Sequence, residues 1–268
     1  MTLAEALRRA EAQLRKAGVP SPRVDAELLL AHALGLTRIR LYTEHDRPLN
    51  GDELGRIDEL VGRRARREPL AYVLGEWGFR RLTLKTDARA LVPRPETEIL
   101  VERCLALLAR EAAARRVLDV GVGSGAIALS IADEHPGAAV VGVDTSPDAL
   151  ALARENAGRV GLAVELREGG FEAAAEGWDL VVSNPPYVTP NEYERLQPEI
   201  HWEPRSALVG ERLHVELARV ADTRWLVLEV GDGQAPEVAE ALRDLAYADV
   251  RITRDLAERE RVVEGRRR

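Results

Sequence analysis

The sequence predicts an α/β protein in which a helical segment and a two-stranded connector precede a doubly wound, mostly parallel sheet. Three observations predict it. The first third has helical periodicity punctuated by capping residues. Between Gly75 and Val92 the pattern changes to short, imperfectly alternating runs. Beyond that point, apolar β-branched runs alternate with helix-like stretches, as strands joined by helical crossovers do. The expected organisation is a helical domain over 1–74, a connector over 75–93 and a sheet domain over 94–268.

The helical domain opens on Thr2 and Glu5, a capping box that starts an apolar-periodic run stopped by Gly18 and Pro20. Ser21-Pro22 opens a second helix, rich in Ala and Leu, that ends at Gly35. A brief helix passes through Ile39 and Leu41, and Asn50 with Glu53 caps another that runs to about Arg66. The cluster Arg63, Arg64, Arg66 and Arg67 reads as a solvated helix end complementing the dipole. A docking patch for an acidic partner is the alternative.

In the connector, Trp77, Phe79, Leu82 and Leu84 fit two short strands. Pro93-Arg94-Pro95-Glu96-Thr97-Glu98 then leads into a helix. Seven strands are expected after it: Val117–Val120, Val140–Val143, Ala163–Arg167, Leu180–Ser183, Trp225–Val230, Val250–Thr253 and Arg261–Val263.

Composition narrows the class. The 268 residues allow a sizeable core, and 46% hydrophobic with 31% charged residues is ordinary for a globular protein. No signal peptide or long apolar span is visible, so a cytoplasmic location without membrane attachment is expected. Cys104 sits among apolar residues of a helix-like run and reads as core; one cysteine excludes an internal disulfide or a zinc–cysteine cluster. Histidines are scattered without metal-ligand spacing, so no metal is expected. A formal net charge of -7 argues against a nucleic-acid groove as the main surface, so no direct nucleic-acid partner is expected.

Two motifs carry chemistry. Val117–Val120 runs into Gly121-Val122-Gly123-Ser124-Gly125, after which Ala126 begins a helix. Glycines let the chain turn sharply and let a ligand touch backbone. Nineteen residues past Gly125, Asp144 ends the next strand, where it can accept hydrogen bonds from ribose hydroxyls. Together these point to an adenosine-containing cofactor. The spacing Gly121-x-Gly123-x-x-Ala126 would also satisfy a dinucleotide fingerprint.

The second motif is Asn184-Pro185-Pro186-Tyr187, on the loop leaving the strand Leu180–Ser183. It could be only a rigid turn ending a strand. Chemically, the prolines hold the chain extended and present backbone carbonyls, while Asn184 adds an acceptor and Tyr187 a flat ring. Two acceptors beside an aromatic face suit a planar group carrying NH2: a glutamine amide, adenine or cytosine. Gripping both hydrogens biases a delocalised nitrogen toward a nucleophilic, tetrahedral shape. Hydride transfer has no need of such a clamp, whereas methyl transfer to an NH2 does.

At this point the chain resembles the HemK/PrmC family, S-adenosylmethionine-dependent methyltransferases that modify glutamine in peptide-chain release factors. The likeness spans nearly the whole chain. Besides the tetrad and Pro93–Glu98, it includes Arg67-Glu68-Pro69-Leu70, Leu74–Phe79, Tyr193–Glu199, Glu203-Pro204-Arg205 and Leu228-Glu229-Val230-Gly231. The resemblance implies a Rossmann-like, seven-stranded methyltransferase domain with its last strand antiparallel, preceded by a small helical bundle and a β-hairpin. It implies that Gly121, Val122, Gly123, Ser124 and Gly125 wrap the methionine and ribose of S-adenosylmethionine, and that Asp144 takes the ribose hydroxyls. Asn184 and the Pro185 carbonyl would act on the substrate amide, with Pro186 and Tyr187 packing beside it and Asn184 bordering the cofactor. The helical domain would help recognise the release factor, whose glutamine lies in a Gly-Gly-Gln loop.

Two departures from the family pattern stand out. The stretch after the third strand is Glu168-Gly169-Gly170-Phe171, so adenine contact falls to Gly170 backbone or to Phe171. The connection from Leu208 to Trp225 is short and lacks a Pro-Gly-Gly turn. Competing readings are an amino-methylase acting on adenine in DNA or RNA, a glutamine methylase acting on a ribosomal protein, an NAD-dependent dehydrogenase and an inactive binding module.

Overall fold

Five helices make the first part of the computed structural model, which describes residues 1–110 and 116–267. Helix α1 (Leu3–Lys16) starts at the anticipated box: Glu5 N–H donates to Thr2 Oγ1 (3.3 Å) and Thr2 N–H to Glu5 Oε2 (2.8 Å). Its buried Leu3, Leu7, Ala10 and Leu14 keep the three-and-four spacing of one helical face. Pro22 stands at the start of α2 (Pro22–Leu34), and Gly35 ends it in the left-handed conformation. A short α3 (Arg38–Thr43) follows, then α4 (Gly51–Ala65) behind the Asn50–Glu53 box. The sequence reading missed α5 (Leu70–Leu74), which is too short to display a helical period before Gly75 ends it at φ 76°.

These helices and the segment Gln197–Trp202 form one compact unit; Glu76–Leu196 with Glu203–Arg268 form the other. What joins Gln197–Trp202 to the helices corrects the reading of the arginine cluster as a solvated helix end. Arg64 is buried: its Nε donates to Asp25 Oδ2 (2.7 Å), its Nη1 to the Glu68 carbonyl (3.1 Å), and its Nη2 pairs with Glu199 Oε1 (2.9 Å). Arg67 grips the same Glu199 with two bonds of 2.7 and 2.6 Å, and Arg63 pairs with Glu68. Burial pushes the Glu199 carboxyl up, but Arg67 and Arg64 hold it below the usual range. Of the four arginines only Arg66 is exposed. A run of like charges in sequence cannot reveal carboxylates that arrive from residues 25 and 199.

The second unit begins with the hairpin β1 (Glu76–Phe79) and β2 (Leu82–Lys85), paired from Glu76↔Lys85 to Phe79↔Leu82. Then come α6 (Thr97–Arg110), β3 (Arg116–Val120), α7 (Ala126–Glu134), β4 (Ala139–Asp144), α8 (Pro147–Val160), β5 (Glu165–Glu168) and β6 (Trp178–Ser183). After them lie α9 (Pro190–Tyr193), α10 (Leu213–Val220), β7 (Thr223–Glu229), α11 (Ala235–Asp244), β8 (Tyr247–Arg254) and β9 (Glu260–Arg267). The sheet order is β5-β4-β3-β6-β7-β9-β8, with β9 antiparallel to both neighbours and the other pairs parallel. The chain moves outward from β3 to β5, then returns to place β6 on the other side of β3. That reversal is a topological switch point, where the loops at the strand C-termini part to leave a crevice.

Both sheet faces are covered, which explains the near-continuous apolar strands. Val117, Val182 and Val227 join Leu100, Cys104 and Leu107 of α6 on one face, while Leu118, Val181 and Leu226 join Leu217, Val238 and Leu242 on the other. The third sheet strand begins two residues later than expected, and β8 and β9 extend beyond their apolar centres. Among the described residues no helix is long and apolar enough to cross a membrane.

Arg64→Ala leaves Asp25 unpaired and buried and weakens the hold on Glu199. It should cost about 3–5 kcal/mol of stability, read as a lowered urea midpoint of unfolding by circular dichroism. An unchanged midpoint would show that the cluster is not a structural tie.

Candidate active site

Strand register builds the site. Val120 pairs with Ser183 and Ser183 with Leu228, so Gly121 and Asn184 leave the sheet side by side at the switch point, with Glu229, the last residue of β7, next to Asn184. Ser183 Oγ donates to the Val120 carbonyl (2.7 Å) and pins the two exits together.

The glycine turn is held from behind. Gly121 and Val122 N–H both donate to the Val143 carbonyl (2.8 and 2.9 Å), and Gly121, Gly123 and Gly125 take φ of 77°, 53° and 86°. Those angles favour glycine, and a Cβ at Gly121 would meet nothing within 4 Å, so open space lies before the turn. Val122 points into the core because Gly142 on β4 has no side chain: a Cβ there would lie 2.6 Å from Val122 Cγ2. Buried Asn156 on α8 donates to the Ser124 carbonyl (2.9 Å) and bonds Lys85 in the hairpin through both of its amide atoms. Asp144 accepts from Gly123 N–H and Ser146 N–H, both at 2.9 Å, which aims a carboxylate at the mouth of the turn with lone pairs to spare.

Asp119, one residue before the end of β3, is fully buried. Its Oδ2 accepts from Ala128 N–H (3.0 Å), while Oδ1 has no partner. Burial pushes its carboxyl up to about 7, against the Ala128 bond and with help from the charge of Asp144.

Across the switch point, Asn184 turns its amide nitrogen toward Thr97 Oγ1 (3.4 Å). Among the described residues nothing donates to Asn184 Oδ1 or to the Pro185 carbonyl, so two acceptors stand free together. The Tyr187 carbonyl accepts from Gln234 (3.0 Å), whose own oxygen accepts from Gly231 N–H (3.0 Å). A Cβ at Gly231 would come within 2.9 Å of the Tyr187 ring. The ring stacks on His214 at 6.3 Å between centroids, and burial, with the charge of Glu229, pushes the Tyr187 hydroxyl up to about 12. His214 is buried, Nε2 lies 2.8 Å from the Glu229 carbonyl, and burial lowers its pKa, so it is a neutral donor there.

Glu229 lies beside Asn184. Its Oε2 is buried without a hydrogen-bond partner, and burial pushes the carboxyl up to about 7. Thr97 draws it down, Glu96 pushes it up, and Arg261 and the Asn184 amide draw it down further. At the outer end of the turn, the Gly170 N–H already donates to Glu172 Oε1 (2.7 Å), while Phe171 is partly buried against the core.

The structure therefore gathers Gly121–Gly125, Asp144 and Asn184–Tyr187 at one crevice, with Gly170 and Phe171 following β5, beside Asp144 on β4. Sequence reasoning missed Thr97, Asp119, Asn156, His214 and Gln234 as parts of it. His214 lies on α10, inside the short connection from Leu208 to Trp225 that lacks a Pro-Gly-Gly turn. The remaining signals were polar residues inside apolar runs, as at Asp119 and Glu229.

A ligand in this crevice can approach the glycine backbone closely, beside a carboxylate of Asp144 with lone pairs to spare. Residues 96–204 match the methyltransferase small domain family, and residues 5–75 match the PrmC N-terminal domain. The fold is similar to the catalytic domain of human METTL16 in complex with a MAT2A 3′UTR hairpin, with a TM-score of 0.57 and 15% identity over 78% of this chain and 82% of that one. It is also similar to the Thermus thermophilus 16S rRNA N2 G1207 methyltransferase in complex with AdoMet and guanosine (TM-score 0.51, 20% identity, 72% and 50% covered). Fold and site together define an S-adenosylmethionine-dependent methyltransferase.

Along almost its full length the chain is 42% identical to the release factor glutamine methyltransferase of Geobacter sulfurreducens (94% of this chain, 92% of the relative). It is 43% identical to that of Deinococcus radiodurans (100% and 99%). The chain belongs to the release factor glutamine methyltransferase family.

Because Asp119 titrates above the ordinary carboxylate range in the folded state, its contribution to stability is full at low pH. It is lost as pH rises to about 7. Asp119→Asn should melt close to the parent at pH 5 and above it at pH 8, by thermal unfolding at both. A gap that stays constant with pH would refute the raised titration.

Proposed function

We propose that the enzyme methylates the side-chain amide nitrogen (N5) of the glutamine in the Gly-Gly-Gln loop of peptide-chain release factors, in the cytoplasm. The observation that carries this reading is the pair of free acceptors, Asn184 Oδ1 and the Pro185 carbonyl, standing one strand away from the glycine turn. When bound, S-adenosylmethionine supplies a methyl group made electrophilic by positively charged sulfur.

The chain's own residues do the rest. Gly121–Gly125 give close backbone approach, and Asp144 orients the ribose through its remaining lone pairs. Phe171 offers a ring edge for the adenine, because the Gly170 N–H is already taken by Glu172. Asn184 Oδ1 and the Pro185 carbonyl each accept one hydrogen of the substrate amide, which fixes the nitrogen in line and draws its lone pair out of conjugation. Both bonds strengthen as positive charge develops on that nitrogen, so they favour the transition state over the ground state. Pro186 and Tyr187 wall the site. Glu229 and His214 reach the Asn184 nitrogen and the Tyr187 ring rather than the two free acceptors, so no general base is assigned. The nitrogen releases its proton late, after it has become acidic.

The relatives' names supply the substrate class, and the helical unit, which matches the PrmC N-terminal domain, would contribute to recognising the factor. Adenine in DNA or RNA is disfavoured by the net charge of -7.

Labelled S-adenosylmethionine offered with a release factor, a ribosomal protein fraction and DNA in parallel should label the release-factor glutamine, located by mass spectrometry of the Gly-Gly-Gln peptide. Label on DNA alone would overturn the reading. Asn184→Ala should lower turnover about 100-fold with cofactor affinity within a few-fold, as for loss of a positioned transition-state partner. Asp144→Ala should instead weaken cofactor binding about tenfold by calorimetry, and unchanged affinity would dismiss its ribose role.

A further inference from the structure

We propose that Glu229 is a positioning residue: acting on the amide nitrogen directly and through the Thr97 hydroxyl, it holds Asn184 with its oxygen turned outward. This role rests on reading Asn184 as one half of the substrate grip.

An asparagine amide has a donor end and an acceptor end of nearly equal size, and only the acceptor end serves the grip. Pairing of β6, which ends at Ser183, does not select one over the other. What selects it lies on two other segments. Thr97, buried at the start of α6, accepts from Asn184 Nδ2 at 3.4 Å, and its own proton is then free to point at Glu229. Glu229, only 2% exposed, exits β7 directly beside Asn184 because Ser183 pairs with Leu228. A carboxyl facing the Nδ2 end attracts its N–H groups and repels the amide oxygen, so the flipped orientation is disfavoured. The chain Asn184 N–H, Thr97 O–H, Glu229 carboxyl also polarises the amide in the direction that enriches Oδ1, the atom offered to substrate.

The carboxyl is costly where it stands. Oε2 has no hydrogen-bond partner, and burial disfavours the charge. A residue kept only for packing would be better served by an apolar side chain of the same length, whereas an orienting residue must be polar. The backbone of residue 229 makes hydrogen bonds of its own: its carbonyl binds His214, and its strand pairs with Val262. Those survive any side-chain replacement.

The test compares Glu229→Met, which keeps the volume and removes the acceptor, with Glu229→Gln, which keeps an acceptor in the same place. Two readouts are needed: release-factor methylation kinetics, and the side-chain amide signals of Asn184 in protein carrying isotopically labelled asparagine, assigned by their loss in Asn184→Ala. The methionine variant should melt no lower than the parent, lose about 10- to 100-fold in kcat with KM within a few-fold, and show Asn184 signals that shift and exchange faster with solvent. The glutamine variant should keep kcat within about threefold and keep the parental signals. Parental turnover and signals in the methionine variant would overturn the role, as would failure of glutamine to rescue. Should the methionine variant not fold, Glu229→Asp draws the carboxyl back by one methylene, and unchanged Asn184 signals there would overturn the role equally. The amide signals need no substrate. If the parent labels no release factor, the substrate reading falls while the spectra still decide what orients Asn184.

Discussion

Parallel pairing of β3 with β6, and of β6 with β7, is the constraint on which the site depends. Residues 121, 184 and 229 lie far apart in sequence, the first two on the loops that leave β3 and β6 and the third at the end of β7. They meet because Val120, Ser183 and Leu228 occupy one row of the sheet. A register shift of one residue would turn each strand's buried side chains to the opposite face. The two apolar layers that flank the sheet therefore hold the reacting groups in line as well as supplying stability. The antiparallel β9 lies on the far side of β7 and β4 on the far side of β3, so each of the three strands that build the crevice has a neighbour on both sides.

Around that row the chain concentrates groups that are unfavourable in isolation: left-handed glycines, two buried carboxyls with unpartnered oxygens, and carbonyls left without donors. Each is supported from outside the crevice. Asn156 ties the turn to the hairpin, Gly142 makes room for Val122, and Gln234 with Gly231 fixes the backbone of Tyr187. Rigidity of this kind is what a reaction that depends on alignment requires.

Much of this was legible in the residues. Strong local signals produced the capped helices, the strand alternation, the glycine turn with its acid and the polar tetrad, because each is encoded within a few neighbours. What was not legible depends on partners distant in sequence. The arginines of 63–67 read as a solvated run because Asp25 and Glu199 cannot be foreseen from their surroundings. His214 reads as one scattered histidine until α10 brings it onto Tyr187. Gly170 seemed available to a ligand until Glu172, two residues on, was seen to occupy its N–H. Helix α5 was too short to declare a period, and β5 is only partly buried, so its start carried little apolar signal.

The tie between Glu199 and the arginines has a bearing on how the chain is made. Because Gln197–Trp202 completes the helical unit, no single cut separates the two units, and an excised 1–75 fragment would leave Arg64 and Arg67 without their shared carboxylate. During synthesis the helices emerge first, yet their last segment follows only after most of the sheet has been translated. The N-terminal helices are thus the first part of the protein to be translated, and their contacts with Glu199 wait until about 130 further residues have followed Arg67.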